Sequence, residues 1–161
     1  MIGLHLLRHA DAGDPLAWDG RDEDRPLSGK GEKQSDRLGR FLAGIGFAPD
    51  AVITSPMVRA AQTADIVARH LGVPVVTDPR LAGGLDLGDV EAILRDAGDP
   101  VRPVLVGHDP DFSDLVEVLT GSSGVAMRKG AIVRIDIDRP IAAGVGSLAW
   151  LVTQDLLKPA R

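Results

Sequence analysis

Apolar residues run almost unbroken from Ile2 to Leu7, interrupted only by His5, and stop at Arg8-His9. A short apolar run closed by charge reads as a strand buried on both faces that delivers its C-terminal end to a polar loop. From Ala10 to Arg25 the chain is polar and acidic. The period then becomes helical. Leu38, Phe41, Leu42 and Ile45 share a face, Ser28 stands where an N-cap belongs, and Gly44 and Gly46 mark the end, so a helix is predicted from Gly29 to about Ala43. Ala51 to Thr54 reads as a second strand. Ser55-Pro56 reads as an N-cap with Pro at the first helical position, and Ala60, Ala64, Val67 and Leu71 line the inner face of the following helix up to Gly72. Val73 to Thr77 predicts a weak strand, which Pro74 suits to a sheet edge.

A further helix after Asp86 carries Val90, Ile93 and Leu94, and Pro103 to Gly107 is a fully apolar strand ending at His108-Asp109. Asp111 to Leu119 reads as the helix that follows. Val133, Ile135 and Ile137 then alternate with Arg134, Asp136 and Asp138, and Leu148, Trp150 and Val152 alternate again, which predicts an antiparallel hairpin with one wet face. Strands alternating with helices imply an α/β fold: a three-layer αβα sandwich around a mostly parallel sheet, closed by a C-terminal antiparallel hairpin. With 161 residues, 44% apolar and 25% charged, the chain is expected to form a single domain over 1–161.

Composition narrows the chemistry. The absence of Cys excludes a disulfide scaffold, an iron–sulfur cluster, a thiol nucleophile and a Cys-based zinc site. A net charge of −5 and 3% aromatics, with no Tyr, make nucleic acid an unsuitable partner. The apolar runs fall far short of the ~20 residues that span a bilayer, so no membrane partner is expected. Met1-Ile2-Gly3-Leu4 carries no basic leader, and a cytoplasmic location is expected.

Three charged constellations follow three predicted strands: Arg8-His9, Ser55 to Arg59, and Gly107-His108. In a parallel sheet all three meet at one edge, where ligands of such sheets bind. His5, in mid-strand, and His70, near a helix C-terminus that favours a cation, have local structural explanations. His9 and His108 share the position just past an apolar strand. Two His and two Arg converging without Cys, and without a carboxylate at metal-ligand spacing, argue against zinc, because guanidinium groups repel a cation. They suit an anion, since Arg offers a planar, permanently charged fork for phosphate oxygens. His9 could then be nucleophile or base.

Leu6-Leu7-Arg8-His9-Ala10 resembles the Arg-His-Gly signature of the histidine phosphatase superfamily, with Ala in place of Gly. Arg25-Pro26-Leu27-Ser28 followed by Gly31, the segment Ser55-Pro-Met-Val-Arg-Ala-Ala-Gln-Thr-Ala64, Val106-Gly107-His108 and Lys129-Gly130-Ala131 are similar, in that order, to the small phosphohistidine phosphatase (SixA) branch. The resemblance spans nearly the whole chain. It implies a phosphoglycerate mutase-like fold in which His9 attacks phosphorus and is transiently phosphorylated. Arg8, Arg59 and His108 then hold the phosphoryl oxygens, Arg25 makes a further substrate contact, and neither cofactor nor metal takes part. Fixed cations in that number can replace a metal.

The sequence departs from larger members of the superfamily, which place a Glu acid after the third strand; Arg80-Leu-Ala-Gly-Gly-Leu85 has no carboxylate. An alcohol leaving group needs that proton more than an imidazole does, so the gap favours a phosphoramidate substrate. Asp109 is the rival acid, its alternative role being a helix N-cap before Pro110. Asp11 and Asp14 are weaker candidates read as solvated, and Asp19, Asp22, Glu23 and Asp24 read as a solvated acidic loop. Short segments between motifs predict an open pocket that admits a side chain presented by a folded protein. The expected function is therefore a phosphatase acting on phosphohistidine of a protein partner. The alternatives are a phosphatase of small phosphomonoesters, such as sugar phosphates or nucleotides, and a non-catalytic phosphoprotein-binding module. A dinucleotide-binding protein is set aside because no Gly-x-Gly-x-x-Gly follows the first strand.

Overall fold

A computed structural model describes residues 1–159. The strands are β1 (Ile2–Arg8), β2 (Ala51–Thr54), β3 (Val75–Thr77), β4 (Pro103–Gly107), β5 (Ile132–Ile137) and β6 (Ser147–Val152). The helices are α1 (Gly29–Gly44), α2 (Val58–Leu71), α3 (Leu87–Asp96), α4 (Asp111–Thr120) and the single turn α5 (Gln154–Leu157). The strands form one sheet in the order β3-β2-β4-β1-β5-β6. The first four are parallel, while β5 runs antiparallel to both β1 and β6. The α/β architecture expected from the alternation is thus the architecture found, with the antiparallel hairpin on the β1 side.

Pleating divides the core between the two faces. On one face Leu4, Leu6, Ile53, Leu105, Val133 and Ile135 pack with the apolar sides of α3 and α4. On the other, Leu7, Val52, Val104, Val106 and Ile132 meet Leu38 and Leu42 of α1 and Ala60, Ala64 and Val67 of α2. Successive residues of one strand therefore serve opposite layers, as a period of two requires. Each fully buried Leu in these layers contributes about 2 kcal/mol of transfer free energy.

Several boundaries differ from the pattern. Helix α2 begins at Val58 with Met57 at its N-cap, because the Ser55 hydroxyl accepts from the Met57 N–H and is also recruited by His108. The edge strand is trimmed to Val75–Thr77, and Ile45 is exposed beyond the end of α1. The polar stretch after β1 contains two 3-10 turns, Pro15–Ala17 and Asp22–Asp24, too short to leave a periodic signal.

Register is what builds the site. Arg8 lies opposite Gly107 across β1 and β4, and Thr54 lies opposite Val106 across β2 and β4. The next residues, His9, Ser55 and His108, consequently leave the sheet side by side. Backbone bonds continue the alignment past the strand ends, from His9 N–H to the Gly107 carbonyl and from Ser55 N–H to that of Val106.

Candidate active site

The sequence motifs converge on one cleft of about 450 Å³ at the C-terminal edge of the parallel strands. Its walls include Arg8, His9, Arg25, Arg59, His108 and Asp109, all six candidates from the sequence. Ala82-Gly83-Gly84, from the segment after β3, also line it.

His9 is buried, and its Nδ1 lies 2.7 Å from the Ala10 carbonyl oxygen. A carbonyl only accepts, so Nδ1 carries the proton and Nε2 keeps its lone pair. Burial, opposed by that hydrogen bond and aided by His108, Arg59 and Arg8, draws the His9 pKa from 6.5 down to about 3. His108 stacks at a tilt beside it, ring centroids 5.2 Å apart. Its Nε2 pairs with the Ser55 hydroxyl at 2.8 Å, and burial together with Arg59 lowers its pKa to about 4. Both rings are neutral at physiological pH.

The guanidinium groups are held by carbonyls and by one carboxylate. Arg8 donates to the Met127 carbonyl at 2.8 Å, and Arg25 to that of Ala12 at 2.7 Å. Arg59 donates to the Asp22 carbonyl at 2.8 Å and to its carboxylate at 3.0 Å. The other Asp22 oxygen accepts from Arg25 at 3.2 Å. Asp22 is therefore a bracket between two arginines, not part of a free acidic loop as the sequence suggested. Local desolvation opposes its ionisation although the side chain is exposed, but the hydrogen bonds and charges of Arg25 and Arg59 prevail and hold its pKa below the usual range. Arg8 Nε and Arg59 Nε are buried without a hydrogen-bond partner. Orphaned cationic donors are costly to bury, and an anion in the cleft is what would repay them.

The remaining motif residues fix the backbone. Thr63 Oγ1 accepts from the Ala10 N–H at 3.1 Å, and Gln62 accepts from the Leu27 N–H at 2.9 Å. Gly130, at φ +72°, shares its N–H between the Arg8 and His9 carbonyls, a left-handed conformation that favours Gly. Asp11, read as solvated, is instead a tether. It accepts from Ser28 at 2.6 Å and from Lys129 at 3.1 Å, and the Ser28 bond leads in lowering its pKa to about 2. Next to this tether Gly31 lies so close to the Asp11 carbonyl oxygen that a Cβ would collide with it. Asp14 caps the Pro15–Ala17 turn.

Asp109 lines the cleft, but its oxygens accept from the Ser113 N–H at 3.1 Å and hydroxyl at 2.6 Å in the first turn of α4. The N-cap residue itself is Pro110. Asp111 is a second cleft carboxylate that the sequence reading passed over, with an oxygen 3.4 Å from the Leu85 N–H. Only its position in the first turn of α4 could have drawn notice. His70, outside the cleft, pairs with Asp36 at 2.8 Å. Among the described residues no three or more His, Asp or Glu are grouped so as to hold a metal, and no helix is long and apolar enough to cross a membrane.

Paired neutral imidazoles ringed by guanidiniums, at the strand ends of a parallel sheet, define a phosphoryl-handling site. The chain belongs to the histidine phosphatase superfamily, whose branch 1 model matches residues 4–103. It is 30% identical to the phosphohistidine phosphatase SixA of Escherichia coli over 98% of both chains. It is also 34% identical to an uncharacterized protein of Picosynechococcus, over 81% of this chain and 82% of that one. A solved structure of the protein histidine phosphatase SixA complexed with tungstate superimposes with a TM-score of 0.84 at 26% identity, covering 98% of this chain and all of that one.

Proposed function

We propose that the protein removes phosphate from phosphohistidine on a protein partner, with His9 as nucleophile and no metal or cofactor. The observation that carries the substrate class is in the cleft lining: Ala82-Gly83-Gly84 offers no acid, and both Asp109 oxygens are committed to Ser113. A phosphohistidine ring protonated at its second nitrogen leaves as neutral imidazole, so it asks for no proton from the enzyme. The Nε2 lone pair of His9 attacks phosphorus, the bond from phosphorus to the substrate nitrogen breaks, and its electron pair stays on the departing ring. Water then attacks the same phosphorus, the bond to Nε2 breaks, and inorganic phosphate leaves. Arg8, Arg25 and Arg59 oppose the charge on the oxygens. His108 adds a neutral donor at Nδ1 when the Ser55 hydroxyl donates to its Nε2. Homology to SixA supports this substrate.

Asp111 favours the second reading, a phosphatase of small phosphomonoesters, because it puts a partly buried carboxylate beside Gly83-Gly84. The deciding measurement is kcat/KM for a phosphohistidine-bearing protein beside a panel of sugar phosphates and nucleotides, in EDTA, with His9→Ala as blank. Preference for the phosphohistidine protein, with an inert blank, is expected. Preference for the esters would hand the site to the second reading.

A further inference from the structure

A second groove, of about 360 Å³, opens beside the catalytic cleft and shares Arg8 and Lys129 with it. Lys30 on the first turn of α1, Arg128 in the approach to β5, and Lys158 after α5 complete its cationic lining. Its two carboxylates are already engaged, Asp11 by Lys129 at 3.1 Å and Asp155 by Lys158 at 3.6 Å. Lys30 and Arg128 are exposed, and neither forms an ion pair among the described residues. A local excess of positive charge on a chain of net −5 is a patch set against its background.

We infer that this groove seats an acidic segment of the protein substrate flanking its phosphohistidine, an inference that rests on the function proposed above. Lys129 and Arg8 make the groove continuous with the phosphoryl cleft, so one extended chain can occupy both. Charge complementarity of this kind orients the partner and speeds encounter, and it weakens as salt screens it. The observations favour protein over nucleic acid, because no aromatic side chain lines the groove and the whole chain is negative.

The test uses two synthetic phosphohistidine peptides, one flanked by Glu and one by Ser, with p-nitrophenyl phosphate as a small probe of the catalytic cleft. The wild-type protein is compared with the double variant Lys30→Glu/Arg128→Glu, in low salt and in several-fold higher salt. The expected result is a preference for the Glu-flanked peptide of about tenfold in kcat/KM, expressed mainly in KM. The double variant and high salt abolish that preference, while p-nitrophenyl phosphate turnover in the variant stays at the wild-type level and certifies an intact fold. Equal turnover of both peptides, or a preference that survives the double variant, overturns the docking groove and leaves the phosphohistidine reading standing. Turnover of p-nitrophenyl phosphate with neither peptide cleaved overturns that reading and the groove with it. A single-stranded oligonucleotide that inhibits Glu-peptide cleavage more strongly than an unphosphorylated Glu peptide of equal charge would reassign the groove to nucleic acid.

Discussion

The middle of β1 and the residue just past its end carry histidines that look alike by most local measures. His5 and His9 are both buried, and each donates Nδ1–H to a backbone carbonyl, Pro103 at 3.0 Å and Ala10 at 2.7 Å. Burial leads the lowering of pKa in both, to about 4 and about 3. Their neighbours separate them. His5 lies between Phe47 and Trp150, ring centroids 4.8 and 5.5 Å away, with Nε2 sealed and unpartnered. His9 opens into a cleft with three arginines and His108. A depressed pKa and a fixed tautomer therefore mark burial; an accessible lone pair among cations marks chemistry.

The sharpest way to break the comparison is to make the same substitution at each histidine. His9→Gln is expected to lower phosphatase turnover by roughly 10⁴-fold or more while the urea midpoint stays near wild type. His5→Gln is expected to keep turnover within a few-fold and lower the midpoint. Equal activity losses at the two positions would mean that His5 is coupled to the reaction.

Acid supplies the next largest effect. His5, His9 and His108 have folded pKa values lowered from 6.5 to about 4, 3 and 4. The unfolded chain therefore binds protons first as pH falls. Stability is complete above about pH 6.5 and is lost as pH drops toward the folded values, on the order of 2 kcal/mol per ring by about pH 5. Urea titrations near neutrality and near pH 5 should show this loss in the wild type and a smaller one in His5→Gln. An unchanged pH dependence in that variant would count against a neutral His5.

The smallest expected change concerns the cleft carboxylates. Asp109→Asn should leave ester and phosphohistidine turnover within about threefold of wild type, because its oxygens serve Ser113. A general acid would show a selective ester loss of about 10²-fold or more. Asp111→Asn, assayed in parallel, shows whether the second carboxylate has that role.

Much of this was legible in the chain because strands and their ends write themselves locally. The apolar runs of β1 and β4 stop at His9 and His108, and parallel order alone brings those ends together. Contacts made at long range left no such trace. Asp22 lies 37 residues from Arg59, and its place among other acids hid its role as a bracket. Ser55 looked like a helix cap because its partner His108 lies 53 residues away. Asp11 looked solvated because Ser28 and Lys129 reach it from two different elements. Asp111 sits at the start of α4, where an acidic residue already has a local explanation in the helix dipole.

The close approach of Gly31 to the Asp11 carbonyl has a consequence for anyone engineering this chain. A better helix former in the first turn of an exposed helix ordinarily gains up to about 1 kcal/mol over glycine. At Gly29, where a Cβ would meet open space, that trade is available. At position 31 the added methyl would lever α1 away from the loop that presents His9, exchanging catalytic alignment for helicity. Two glycines in one helical turn thus sit at opposite extremes of mutational tolerance.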